Sequence, residues 1–197
     1  MTLEEYNREF NAAVKDIENS TAKTMVYLGQ DALAAIKERV IKEGVNAEGS
    51  KYAPYSTKPT LTNCSAMTTS ACSRVAGSKT KRKELKWVTL QRGGKNIKLF
   101  ELPGGYKQFR EIHGRQTDHV SFYFNGRMWS NIGIVSNHSD HQNGTVIIAA
   151  KTEEDAKKLE GNTKRKGEIL DLSETEIIKL EERFNLKVVE IFKEHNL

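Results

Sequence analysis

Long apolar runs are missing from this 197-residue sequence, and with them any segment approaching the roughly 18 residues that a membrane-spanning helix needs. Acid is missing between Glu48 and Glu84, where Lys51, Lys58, Arg74, Lys79, Lys81, Arg82 and Lys83 place seven cations and leave −2 for the remainder of a +5 chain. Cysteine is limited to Cys64 and Cys72. Neither their number nor their spacing fits a zinc site or a disulfide framework, so two free thiols are expected. The opening residues MTLEEYNREF carry acid where a secretory leader carries base, which gives the expectation of a chain that starts in a cytoplasm.

What is present is 37% hydrophobic and 29% charged, with a mean hydropathy of −0.62 and a sequence pI near 9.1. A thin core under a large polar surface suits a subunit of an assembly. The length fits one domain with a real core, expected over 1–197, with residues 50–84 as an extended excursion.

Leu3, Tyr6, Phe10, Ala13, Val14 and Ile17 recur at helical steps, and after Asn19-Ser20-Thr21 the pattern resumes with Met25, Leu28, Ala32, Ile36 and Val40. The spacing predicts one long helix or two in tandem, with a cap at Ser20 or Thr21 and a weak point at Gly29. Gly44 closes the helix by taking the left-handed conformation, and Asn46, Gly49, Pro54 and Pro59 keep it from restarting, so Tyr52 and Tyr55 are expected on a displayed loop. Ser56 to Lys83 keeps no period of 2 or 3.6 and reads as an arm. A single-sign segment extends itself until an acidic surface or a phosphate backbone neutralises it; a plain solvated loop is the bland alternative.

Trp87, Thr89, Ile97 and Leu99 alternate with their neighbours on either side of Gly93-Gly94, which predicts a hairpin. Tyr106 to His113 is a short helix candidate, Val120 to Phe124 a strand, Arg127 to Asn131 a turn of helix. Ile132 to Val135 and Thr145 to Ala149 flank a polar tip. Thr152 to Leu159 reads as a short charged helix, followed by a turn-rich connection from Gly161 to Gly167. Ser173 and Glu176 form a capping box for a last helix with Ile177, Leu180, Phe184, Val188 and Ile191 on one face, and Leu172 as its staple.

Chemistry-bearing groupings are sparse. His138-Ser139-Asp140-His141 offers two imidazoles and a carboxylate to a metal, but it sits on a solvated hairpin tip with no third rigid ligand. His113-Gly114-Arg115-Gln116-Thr117-Asp118-His119 has the residue types of a metal-dependent nuclease, but no acidic strand pair or ββα pattern follows, and it reads instead as a polar turn leading into the Val120 strand. Gly93-Gly94-Lys95 and Gly104-Gly105-Tyr106 lack the spacing of a phosphate loop. No catalytic residue, cofactor or metal ligand is assigned, and no enzyme activity is expected. For nucleic acid, the acid-free arm and Lys164-Arg165-Lys166 would neutralise phosphates while Trp87, Tyr106 and Phe109 could stack on bases, without any sequence-reading motif.

Four segments, EGVNAEGSKYAPYS, YKQFREIHGRQTDHVSFYFNGRMWSNIGIVS, GTVIIAA and KRKGEILDLSETEIIKLEERF, together resemble the tail-completion, or virion-morphogenesis, family of tailed bacteriophages. The matching elements, in order, are Ala47 to Tyr55, Gly126 to Ile132 and Leu172 to Glu176; Arg165 to Leu170 departs by lacking the proline that usually precedes the last helix. The resemblance implies an α+β domain in which a long N-terminal and a C-terminal helix pack on a mixed, mostly antiparallel sheet. It implies a structural virion subunit of the neck or tail, assembled in the host cytoplasm. That subunit would form a homo-oligomeric ring, six- or twelve-fold, joining portal or connector to tail proteins, with non-specific DNA contact at most and no membrane. On this reading Tyr52, Pro54, Tyr55, Lys58, Arg74, Lys79, Lys81, Arg82 and Lys83 meet the partner. The rival reading is a basic DNA-binding accessory protein, and behind it a metal-dependent nuclease.

Overall fold

The structure, a computed structural model, describes residues 1–123, 125–139 and 143–197. It is an α+β fold, and the chain closes into two compact units, Met1–Tyr52 with Ser121–Leu197, and Ala53–Val120. The chain expected as one domain over 1–197 thus comprises two compact units. The strands also divide, into a three-stranded and a two-stranded sheet, both antiparallel, rather than one mixed sheet.

In the first unit α1 (Leu3–Glu38) opens on a capping box of Thr2 and Glu5 and runs unbroken through the expected weak points. Ser20 and Thr21 do not start a new helix, because their hydroxyls donate to the Ile17 carbonyl at 3.1 and 2.8 Å and stay inside the helical ladder. A π-helical turn, Arg39–Glu43, ends at Gly44 with φ of 69°, the left-handed stop read from the sequence.

A hairpin of β4 (Ile132–Ser139) and β5 (Gly144–Ala150) packs on α1. Gly29 makes this approach possible: a Cβ there would lie 2.7 Å from Val146 and 3.1 Å from Ile134. The residue that costs an isolated helix about 1 kcal/mol is thus one that lets the sheet pack close to the helix.

The predicted strand over Val120–Phe124 is absent at 120–123, where Phe122 takes a positive φ of 51° and meets Tyr52 edge-on at 4.9 Å; Phe124 lies outside the described residues. α5 (Arg127–Ser130) leads into β4, with the Trp129 indole donating to the Ser121 carbonyl.

α6 (Glu153–Lys166) continues through the stretch expected as a connection, because ion pairs one turn apart, Glu153–Lys157, Glu154–Lys158 and Glu160–Lys164, support it despite Gly161. Its buried Asp155 accepts hydrogen bonds from Thr152 at 2.7 Å and Asn131 at 2.6 Å, which with Lys158 hold its pKa down to about 2.

α7 (Glu174–Glu194) starts at the Ser173–Glu176 capping box and lies along α1. Phe192 stacks on Phe10, Arg183 pairs with Asp31, and His195 bridges Glu9 and Asp16. At the other end Arg39 donates to Glu176 at 2.9 Å and to the carbonyls of Val45 and Asp171, with both side chains of the ion pair about nine-tenths buried.

The second unit corrects the expected extended arm over 50–84. It contains β1 (Thr60–Thr62), a 3-10 turn at Cys64–Ala66, α2 (Thr69–Ala76), α3 (Lys79–Glu84), β2 (Trp87–Arg92), β3 (Lys95–Leu102) and α4 (Gly105–Ile112). The sheet order is β1-β3-β2. Asn63, Thr68 and Ser78 each cap a helical piece through the side chain. Pieces of one or two turns are too short to print a hydrophobic period, which is why the stretch reads as structureless. Cys64 and Cys72 form a disulfide, not two free thiols. Caps bend the chain back so that the 3-10 turn and α2 lie within bridging distance, Cα to Cα 5.1 Å. Phe100, Leu102, Ala71 and Ala76 are the buried apolar centre.

Arg39→Ala should destabilise the chain by about 3–5 kcal/mol, the usual result of stranding one member of a buried ion pair, measured by urea denaturation. A loss below 1 kcal/mol would mean that the pair contributes no more than a surface bridge. The clasp at His195 adds a pH dependence: its hydrogen bond to Asp16 raises the His195 pKa, against partial burial and with help from Glu9, above 6.5. A raised value means full stabilisation below pH 6.5 and loss as pH rises through the folded pKa. Thermal melts from pH 6 to 9 should therefore fall more steeply for the parent protein than for His195→Gln.

Candidate interaction surface

The boundary between the two units is also an electrostatic boundary. Residues 53–120 hold thirteen Lys and Arg against four Asp and Glu, a net of +9, leaving −4 for the other unit of the +5 chain. From Lys58 onward the acid-free stretch thus belongs to a folded cationic unit rather than to a loose tether, and Arg74, Lys79, Lys81, Arg82 and Lys83 sit on short capped helices.

The nine residues expected to meet a partner separate into three groups. Tyr52 and Tyr55 are not displayed. Tyr52 is 5% exposed and donates its hydroxyl to the Glu168 carbonyl at 3.0 Å, and Tyr55 is 8% exposed with the Arg110 guanidinium 4.3 Å over its ring and Tyr106 edge-on. Aromatic rings beside glycine and proline read as display because a loop carries them; their apolar area is better hidden, and each loop folds back over its own unit to hide it.

Arg74, Lys81 and Arg82 reach the solvent but spend donors on helix ends. Arg74 donates to the Ile112 carbonyl at 2.6 Å, Lys81 to Arg74 at 3.0 Å and Arg82 to Ala76 at 2.8 Å. Cations at the last carbonyls satisfy orphan acceptors and complement the negative end of the helix dipole. This use could have been suspected from their place near the ends of capped segments. Lys58, Pro54, Lys79 and Lys83 remain at the exposed surface, as do Arg92, Lys95 and Lys98 on β2 and β3, while Lys86 pairs with Glu101 at 2.7 Å.

The nuclease-like stretch is a turn. Gln116 donates to the His119 carbonyl and accepts from its amide, His113 Nδ1 lies 2.8 Å from the Phe109 carbonyl, and its ring centre is 4.3 Å from that of Phe109. Arg110, 2% exposed, donates to the Gln116 carbonyl from inside the unit. Of the hairpin-tip histidines, His138 is on β4 while Asp140 and His141 lie outside the described residues. Among the described residues no group of three or more His, Cys, Asp or Glu is placed to hold a metal ion, and no helix is long and apolar enough to cross a membrane.

Of the base-stacking candidates, Trp87 is 45% exposed but donates its indole N–H to the Arg82 carbonyl and packs edge-on against Phe100. Tyr106 and Phe109 stack on each other at 5.9 Å along α4. Their polar and π-face contacts are made within the unit.

Sequence reasoning missed the apolar side of this surface. On one face of the β2–β3 hairpin Val88 stands opposite Leu99 and Leu90 opposite Ile97, with Arg92 opposite Lys95 at the tip. Leu90 is 44% exposed and Leu61, on the same face of β1, 41%. Period-2 alternation revealed the hairpin, but which face would stay open depends on what the rest of the unit covers. Comparison with family models, curated proteins and solved structures found no match.

The disulfide ties the 3-10 turn at Cys64 to α2 at Cys72. Replacing Cys64 and Cys72 by serine together should cost about 2 to 3 kcal/mol, the loop-closure entropy of a ring this short. Limited proteolysis of the variant should cut first between residues 60 and 84; an unchanged cleavage pattern would show that the caps alone hold this stretch.

Proposed function

We propose that this chain is a structural subunit of the neck or tail of a tailed-bacteriophage virion, working in many copies, with the cationic unit as its docking head toward acidic surfaces of neighbouring virion proteins. The observation that carries the reading is the separation of charge, +9 on one compact unit and −4 on the other. A subunit whose charge is divided in this way has one unit that seeks acid and another that supplies it, which is what repeated contact between copies and with further proteins requires. The order of sequence elements that resembles the tail-completion family supports the same reading.

Replacing Lys58, Lys79 and Lys83 by glutamate tests this without touching the cations that cap helices. The variant should keep the parent's circular dichroism and melting temperature yet fail to enter particles when it replaces the parent gene product. Normal incorporation would remove the docking role. The rival DNA-binding reading makes a different prediction: the parent would shift duplex DNA in a gel with a steep salt dependence that persists near physiological salt, and the variant would lose that shift.

A further inference from the structure

Each unit has an apolar surface that is partly open, and the two have rims of opposite charge. In the cationic unit β1 pairs only with Phe100–Leu102 of β3, so from Lys95 to Leu99 the sheet is a two-stranded ribbon. A two-stranded ribbon is marginally stable in water unless something covers its apolar face. Here that face is the Leu90–Ile97 and Val88–Leu99 pairs, with Arg92 and Lys95 at the outer end.

In the other unit α1 and α7 bound a groove of about 440 Å³ lined by Met25, Leu28, Ile177, Leu180, Phe184 and Glu181. Ile177 is 43% exposed at its edge. Glu174 and Glu181 are seven residues apart, nearly two turns, and so share the flank of α7 next to Ile177 and Phe184. Arg183 is held by Asp31 and does not cancel them.

We propose that the β2–β3 ribbon of one copy of this chain docks in the α1–α7 groove of a second copy. Leu90 and Ile97 enter the groove while Arg92 and Lys95 meet Glu181 and Glu174. Charge complementarity selects this occupant. A polyanion would neutralise Arg92 and Lys95 but leave Leu90 and the half-buried Val88, Ile97 and Leu99 without apolar cover, whereas the groove supplies both an apolar wall and an acidic rail. The contact is heterologous, ribbon to groove, so each copy keeps one free ribbon and one free groove for the next, and the association propagates. Partly exposed charge pairs are screened over roughly 8 Å at physiological ionic strength, so salt weakens it. The inference rests on the multi-copy reading above for its setting. A chain that pairs this way in solution yet is absent from particles keeps the contact and loses that reading, and particle incorporation without pairing does the reverse.

The test uses the full chain and two variants, one with Leu90→Ser, Ile97→Ser and Arg92→Ser in the ribbon, the other with Ile177→Arg and Glu181→Arg at the groove. Sedimentation over a concentration series should show the parent forming higher oligomers that shrink with added salt, and each variant alone as a monomer. An equimolar mixture of the two variants should form a one-to-one dimer and stop there, since one intact ribbon and one intact groove remain. A parent that is monomeric throughout, or variants that stay monomeric when mixed while the parent assembles, overturns the proposal; a monomeric parent that shifts duplex DNA assigns the ribbon to nucleic acid instead. Should either variant fail to fold by circular dichroism, a short bismaleimide applied to a mixture of Leu90→Cys and Ile177→Cys chains gives the second reading. A cross-linked dimer in the mixture, absent from each chain alone, supports the contact, and its absence overturns it.

Discussion

Arg39 fastens the end of α1 to the beginning of α7, and the first unit depends on this join. The guanidinium is buried and uses its donors on Glu176 and on the carbonyls of Val45 and Asp171, so one side chain ties the helix end, the loop after it and the segment before the last helix. Glu176 serves twice. One oxygen accepts from Arg39 and the other from the Ser173 amide as the reciprocal half of the capping box. Burial pushes the Glu176 carboxyl up, yet the Arg39 hydrogen bond and those from Ser173 outweigh it and hold the pKa below its ordinary value. The pair is therefore charged in the fold at neutral pH, and its desolvation is offset only because its polar atoms are partnered. At the far end His195 makes a less buried version of the same connection between α7 and α1.

The second unit is held differently. Its apolar centre is small, and much of its order comes from polar devices: three side-chain caps, cations on helix-end carbonyls, a guanidinium over a tyrosine ring and one disulfide. Such a unit can carry a large excess of one charge because its stability does not rest on burying a broad apolar face. The same economy leaves the β2–β3 ribbon partly uncovered. A cationic body with an open aliphatic face is suited to a partner that offers acid and apolar surface together, and less suited to a phosphate backbone alone.

Much of the local structure was legible in the sequence because it is set by neighbours along the chain. The Gly44 stop, the Gly93-Gly94 hairpin, the short helix after Gly105 and the Ser173–Glu176 cap are each decided within a few residues, where steric limits on φ and nearby donors dominate. Errors came where a distant partner or a very short element overruled the local pattern. Residues 120–123 alternate like a strand yet have no strand to pair with. Residues 161–166 look like a connection, but charge pairs carry the helix through. Residues 60–84 look unstructured because their helices are too brief to show a period, and caps plus a disulfide replace periodicity as the organising force.

The sequence alone determined the first and last helices, the Gly93-Gly94 hairpin and the concentration of positive charge between Glu48 and Glu84, since periodicity, capping and composition are local properties of the chain. Only tertiary structure decided that this charge sits on a separate folded unit and that Tyr52 and Tyr55 turn inward. It also paired Arg39 with a glutamate 137 residues away and left one face of a hairpin and one helix groove uncovered. Burial and long-range pairing are properties of the whole packed chain: which apolar surface is hidden, and which cation is neutralised, depends on every other segment competing for the same space.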